Sequence, residues 1–249
     1  MVQVREIRVK GILSRSQIYD YTLNPYVGCE HACAYCYARF MKRFSGHEEP
    51  WGEFVDAKIN APERLKREIK SKRPGHVWIS GVCDPYQPVE EELLLTRQCL
   101  EILVPASWPI TIQTKSPLVM RDRDVISSSN KVEVGFSLAT LDEDVRQIFE
   151  PHAPPISDRI QALKELHNLG IRTFVMIAPV LPKADELLES LADGVDFVLV
   201  DRLNYHYADR LYDRLGLSFA RKGPFFLEAG RKIKAFCENR GIPCEILYD

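Results

Sequence analysis

Short apolar runs alternate with amphipathic stretches along most of this chain. His76-Val77-Trp78-Ile79-Ser80 reads as a buried strand ending at Gly81. Pro109 to Thr114 reads as another, alternating around Ile110 and Ile112. Strands are also expected near 22–26, 132–138, 172–178 and 196–200, with a short terminal one over 244–248. Between them, apolar residues recur at helical spacing. Pro62 to Lys72 puts Leu65 and Ile69 on one face, and Glu63 lies four residues before Arg67. Helices are expected at 37–44, 90–104, 120–127, 142–149 (capped by Thr140), 184–191 and 225–239. One more starts at Ser157 or Asp158 and stops at Gly170. Strands alternating with helices imply parallel βαβ units. The expected fold is α/β, a partial (β/α)6 barrel of the TIM type, forming one domain over residues 21–249. Residues 1–20 are mixed and charged and read as a lead-in segment. Residues 46–60 read as an irregular insertion carrying Trp51.

In such folds the active groups gather at the carboxyl ends of the strands. The unusual residues of this sequence fall there. The first strand leads into Cys29-Glu30-His31-Ala32-Cys33-Ala34-Tyr35-Cys36-Tyr37. Three thiolates from one loop can grip one face of an iron–sulfur cluster; a cubane takes four, so one iron stays open. A zinc site and ordinary buried thiols remain open on spacing alone, as does an electron carrier or sensor. His31 as a fourth ligand would close the open position, so it reads as an outer residue.

The triplet, with an aromatic before its last cysteine, resembles the cluster loop of radical S-adenosylmethionine (SAM) enzymes. The wider text is similar to the spore photoproduct lyase-like, or DNA repair photolyase-like, branch. It includes Asn24-Pro25-Tyr26, Tyr35-Cys36-Tyr37-Ala38-Arg39, Trp51-Gly52-Glu53-Phe54-Val55, Asp84-Pro85-Tyr86-Gln87-Pro88, Thr114-Lys115-Ser116 and Glu150-Pro151-His152-Ala153-Pro154. The resemblance runs from Asp20 to Asn204. It implies a [4Fe–4S] cluster on Cys29, Cys33 and Cys36, with SAM at the open iron. One electron from a flavodoxin- or ferredoxin-type donor then yields a 5′-deoxyadenosyl radical that abstracts hydrogen from substrate. Tyr35 is expected against the adenine and Lys115 beside the methionyl carboxylate. Ser137 is expected as a donor to the carboxylate or ribose. The backbone at Ser80, Gly81 and Val82 is expected to receive the methionyl amine, and Ile177 to Pro179 to flank the adenine. Cys83 is a candidate hydrogen donor to a product radical, or else a small packing residue. Tyr37 is a candidate partner in that relay, or else a packing residue at a helix start. Asp84 is expected to cap a turn or orient a donor, and Glu150 and His152 to shape the barrel rim.

Composition narrows the substrate only slightly. The 249 residues carry a formal net charge of −2, without the overall basic footprint usual for nucleic-acid binders. A DNA lesion is what the resemblance implies; RNA, a peptide or a small metabolite stay open. The basic run from Arg64 to Arg73 reads as a solvated helix face, with a phosphate track as the alternative. Seven cysteines, an odd number with three bunched, fit a reducing compartment rather than a disulfide scaffold. Cys99, Cys237 and Cys244 read as structural thiols. The N-terminus lacks the apolar run of a signal peptide, and no stretch is apolar enough to cross a membrane. The expected location is the cytoplasm.

Overall fold

A computed structural model describes residues 2–191 and 194–248. The chain opens with strands β1 (Gln3–Ile7), β2 (Leu13–Arg15), β3 (Tyr21–Leu23) and β4 (Tyr26–Val27). After the cysteine loop come a 3-10 turn (Tyr37–Met41), helix α1 (Lys42–Ser45) and β5 (Phe54–Lys58). Then α2 (Ala61–Ser71), β6 (Val77–Ile79), α3 (Glu90–Leu93), α4 (Leu95–Leu103), β7 (Ile110–Thr114), α5 (Arg123–Ile126) and β8 (Val132–Ser137) alternate. The second half continues with α6 (Glu143–Phe149), α7 (Ile156–Asn168), β9 (Arg172–Ile177), α8 (Leu187–Leu191) and β10 (Phe197–Val200). It ends with α9 (Asp209–Arg214), α10 (Gly223–Asn239) and β11 (Cys244–Ile246).

The main sheet runs β11-β10-β9-β8-β7-β6-β3-β2. Every pairing from β3 to β11 is parallel, and only β2 runs antiparallel, against β3. This is the single-domain parallel α/β architecture expected of a partial barrel. Alternation along the strands divides its two faces. Val77, Ile79, Ile110, Ile112, Val134, Phe136, Val175 and Ile177 are fully buried in one core with helix residues such as Leu100, Leu163 and Leu166. The intervening residues form in-register rows on the other, concave face. One row is Thr22, Trp78, Thr111 and Glu133, and the next is Gln113, Gly135, Phe174 and Phe197. Gly135 is required in that row, because a Cβ there would lie 2.1 Å from the Phe174 ring.

Several expectations change. Residues 1–20 are not a mere lead-in: β2 extends the main sheet and β1 joins a second sheet of order β1-β5-β4. Residues 46–60 are not irregular throughout, since β5 pairs with both β1 and β4. The helix expected over 90–104 is broken at Leu94, which has φ +54°. Buried Glu90 accounts for the break. Its carboxylate accepts the amides of Thr96 (2.9 Å) and Arg97 (3.2 Å), satisfying the free end of α4. Asp142, not Thr140, caps α6, accepting from Asp144 and Val145. The hydroxyl of Thr140 donates instead to the Pro182 carbonyl. Helix α7 starts at Ile156, directly after Pro155, and α9 stands where no helix was expected.

Candidate active site

The cysteine loop lies between two supports. On its outer side, the β5 segment presses close. A Cβ on Gly52 would fall 2.4 Å from Ala32 Cβ, and one on Gly28 would fall 2.3 Å from the Phe54 carbonyl. Gly28 and Gly52 both have φ near +90 to +103°, which a side chain rarely tolerates. On its inner side, Cys33 and Tyr35 pack with Ala139, Phe149, Leu181, Ala208, Tyr212 and Ala220. The Ala34 amide donates to the Phe149 carbonyl at 2.7 Å, and the His152 amide to the His31 carbonyl at 3.4 Å. The loop is thus fixed by its own backbone and by the ends of later βα units.

Cys29 and Cys33 are buried and Cys36 is half-buried; all three are free thiols. Burial raises each of their pKa values, that of Cys33 to about 12, with Lys115 pulling the other way. A metal held by these thiols would have to displace their protons. Among the described residues, no group of three or more His, Cys, Asp or Glu is arranged around a single metal ion. The ligands of a cubane each take a different iron, so three thiols on one tight loop, with no carboxylate in the set, suit a cluster by the chemistry of the donors.

His31 is buried, with Nε2 3.2 Å from Asp84 Oδ2. Asp84 also accepts from the Thr114 hydroxyl (2.7 Å) and the amides of Lys115 (2.8 Å) and Tyr86 (2.9 Å). Burial works against its charge, but His31 and these donors outweigh it and bring the pKa down to about 2. Asp84 thereby joins the cysteine loop to the end of β7.

The electrostatic centre is Glu150, at 1% exposure. Its Oε2 lies 2.7 Å from Arg159 Nη1, and its Oε1 lies 3.9 Å from Lys115 Nζ and accepts from the Tyr35 hydroxyl. Lys115 Nζ stands 5.8 Å from the centroid of the Tyr35 ring. Burial disfavours the Lys115 ammonium, but the Cys33 thiol group and Glu150 outweigh it and the pKa rises. A fixed cation therefore lies beside the cysteine loop. Arg159 also donates to the Ser137 carbonyl at 3.1 Å, and the Ser137 hydroxyl accepts from Gln113 Nε2 at 3.0 Å. Tyr35, Lys115 and Ser137 thus meet in one network.

Ser80 has φ +75°, and its Oγ lies 3.6 Å from Cys83 Sγ. Burial raises the Cys83 thiol to about 11. The Tyr37 hydroxyl donates to the Gly81 carbonyl, occupying one lone pair of an atom expected to receive an amine. Tyr37 stacks on Tyr205 (5.9 Å, 21°), and Tyr205 on Tyr207 (6.1 Å, 15°). Since β3 and β10 are far apart in the sheet, this stack joins the loop after the first parallel strand to the loop after β10. Ile177 faces the helix-side core rather than the concave surface, so its side chain is turned away from the loop; Met176 is its concave neighbour. Pro179 is buried just beyond β9.

Sequence reasoning missed the roles of Glu150, Arg159 and Gln113. Arg159 had a signal: it falls in the buried stripe Ile156, Arg159, Leu163, Leu166 of α7, where an unpaired charge would be costly. A buried arginine demands a carboxylate, and Glu150 follows the buried Phe149.

Residues 23–199 match the Radical SAM superfamily, most of the chain. The chain belongs to the radical SAM superfamily. A radical SAM enzyme uses a [4Fe–4S] cluster and SAM, and needs a reductant. Relatives include an uncharacterised protein of Methanocaldococcus jannaschii, 31% identical over 230 residues, which span 91% of this chain and 83% of that one. A radical SAM Nalpha-GlyT isomerase of Pseudomonas phage M6 is 26% identical over 78% of this chain and 42% of its own. Among solved structures, spore photoproduct lyase complexed with dinucleoside spore photoproduct superposes with a TM-score of 0.73, at 14% identity over 98% of this chain and 82% of that one. Streptococcus suis SuiB bound to S-adenosylmethionine gives 0.63, at 16% identity over 92% of this chain and 49% of its own. These structures share the radical SAM fold. Among the described residues, no helix is long and apolar enough to cross a membrane.

Proposed function

We propose that Cys29, Cys33 and Cys36 hold the cluster, that SAM lies beside them over the concave face, and that the substrate is a nucleic-acid lesion or modified base. The observation that carries the site is the buried Lys115–Glu150–Tyr35 network against the cysteine loop. The cluster and SAM together supply a 5′-deoxyadenosyl radical that abstracts a hydrogen atom. The protein's part is to bind, orient and exclude water. Lys115, held charged by Glu150, receives the methionyl carboxylate, and Ser137 donates to the carboxylate or ribose. The backbone at Ser80 and Gly81 faces the amine, with Tyr37 sharing the Gly81 carbonyl. Tyr35 is immobilised by its hydrogen bond to Glu150, so its ring offers a fixed wall to the adenine. Pro179, with the backbone of Ile177, lines the far side. Cys83 is the hydrogen donor to the product radical, with Tyr37 beside it. A neutral thiol holds the hydrogen this step requires, and burial keeps Cys83 neutral. The fold, shared with a lyase solved on a dinucleoside photoproduct, supports the substrate class. The thiol chemistry suits the cytoplasm, and a flavodoxin- or ferredoxin-type protein is the electron donor. A peptide substrate is the second reading, supported by likeness to SuiB solved with its precursor peptide (TM-score 0.61).

The test is anaerobic. The chain is reconstituted with iron and sulfide, given SAM and dithionite, and assayed for 5′-deoxyadenosine. Formation that requires all three cysteines supports the assignment; formation by a Cys33→Ala variant overturns it. A dinucleoside spore photoproduct is then offered. Return of two thymidines supports repair, and an untouched lesion under active SAM cleavage refutes it.

A further inference from the structure

Two cysteines outside the cluster loop are brought together near the end of the sequence. Cys237 lies in the last turn of α10 and is fully buried; Cys244 opens β11 and is half-buried. The way the helix stops fixes their meeting. The Ile242 amide donates back to the Cys237 carbonyl (2.9 Å) and the Gly241 amide to the Glu238 carbonyl (3.2 Å), with Gly241 at φ +68°. Two such bonds around a left-handed glycine are a common helix stop, and they turn the chain back over its own last turn. The Val198 amide then donates to the Pro243 carbonyl (2.9 Å), and Val198 lies opposite Cys244 in the β10–β11 ladder. Cys244 therefore packs, like Val198, on the core that holds Cys237. The two free thiols hydrogen-bond to each other.

A metal centre would need further ligands, and among the described residues no third His, Cys, Asp or Glu joins them. What two touching thiols can do unaided is close a disulfide. Their hydrogen bond helps. It lowers the pKa of Cys237 and raises that of Cys244, so the pair gives up one proton readily and shares the other. The charge can then stand on either sulfur, and the thiolate is the form that reacts. In a reducing compartment such a bond is transient and follows the redox state. Its position gives it a consequence. β11 is the edge strand of the main sheet, held there by β10 alone. Its Leu247 amide donates to the carbonyl of Val200 (2.8 Å), the last residue of β10. A covalent bond from Cys244 to α10 fastens that edge.

We propose that Cys237 and Cys244 are a reversible redox pair: a small-molecule disulfide oxidises them to a disulfide that ties β11 to α10, and a thiol reductant reopens it. Cys244, the more exposed, attacks first, forming a mixed disulfide as one small thiol leaves. Cys237 then attacks the Cys244 sulfur and expels the second. Two protein thiols are oxidised, one small disulfide becomes two thiols, and the protons of the protein thiols pass to the leaving thiolates. Neither the cluster nor SAM takes part.

The probe is oxidised glutathione, offered anaerobically to the cluster-loaded full chain, which is then unfolded, alkylated and digested with trypsin without reduction. Cleavage after Lys234 and Arg240 puts the two cysteines on separate peptides, 235–240 and 241–249. Wild type is expected to yield them joined, short of two hydrogens, and to yield them apart after dithiothreitol. Cys237→Ala is expected to keep glutathione on Cys244 as a stable mixed disulfide, and Cys244→Ser to leave Cys237 unmodified. Oxidised wild type is expected to melt a few degrees above the reduced protein, a shift missing from both variants. Peptides that stay apart in wild type, or glutathione retained on Cys244 with Cys237 free, overturn the proposal. Joined peptides with an unchanged melting temperature overturn the fastening of β11.

Discussion

Glu150 offers the sharpest test of how the site is held. Its carboxylate neutralises fully buried Arg159 at 2.7 Å and approaches Lys115 at 3.9 Å. Removing one member of a buried pair leaves the other charge stranded, at a cost of about 3–5 kcal/mol. Arg159 keeps its hydrogen bonds to the Pro154 and Ser137 carbonyls, which places Glu150→Ala toward the lower end of that range. At roughly 2–4 °C per kcal/mol for a chain of this size, the melting temperature should fall by about 6–12 °C. Removing both charges should recover part of the loss, because Glu150→Ala with Arg159→Met strands no guanidinium. The assay is thermal denaturation of the wild type, the two single variants and the double variant under identical anaerobic conditions. A fall below about 2 °C for Glu150→Ala, or a double variant no more stable than Glu150→Ala, would refute the view of Glu150 as the counter-charge that organises the site.

Cys33→Ala should abolish the absorbance of the reconstituted cluster and all reductive SAM cleavage; either one persisting contradicts the ligand set. Cys83→Ala should leave SAM cleavage intact but change how the product radical is quenched. Unchanged products and turnover on the true substrate would reduce Cys83 to packing. Gly135→Ala should destabilise the fold by about 1–3 kcal/mol through overpacking against Phe174, read as a lower denaturant midpoint; an unchanged midpoint speaks against the close contact. Asp84 has a folded pKa of about 2, below its ordinary 3.8, so its contribution is fully present above pH 3.8 and lost as pH falls through 2. That depression corresponds to about 2 kcal/mol. The stability gap between wild type and Asp84→Asn should therefore close between pH 4 and 2; a gap that persists at pH 2 excludes this origin.

The parallel strands from β6 to β10 were legible because each is a short apolar run bounded by turn residues. The cysteine loop was legible because its spacing carries its own chemistry. What escaped was set by contacts remote in sequence. β1 and β5 have little apolar signature of their own; they form because each supplies the other's hydrogen bonds, and Arg5 secures the pair through Asp56 at 2.7 Å. The break at Leu94 depends on Glu90, whose burial becomes evident only once Tyr26 and Arg121 are seen to hold it. Ile177 was expected to flank the adenine from its place at a strand end, yet strand alternation alone turns its side chain to the helix side. Glu150 was taken for a rim residue because its text is a proline-rich loop; its partners lie on the cysteine loop, just past β7 and on α7.

The stack of Tyr37, Tyr205 and Tyr207 gives the open edge of the barrel a clasp. An open sheet has two ends free to spread, and here three rings fasten the ends to each other on the side where the cysteines sit. Tyr37 is covalently adjacent to Cys36. Any movement that parts Tyr37 from Tyr205 is therefore transmitted directly to the backbone of the cysteine loop. The closure of the open sheet and the geometry of the three-cysteine loop are therefore mechanically linked.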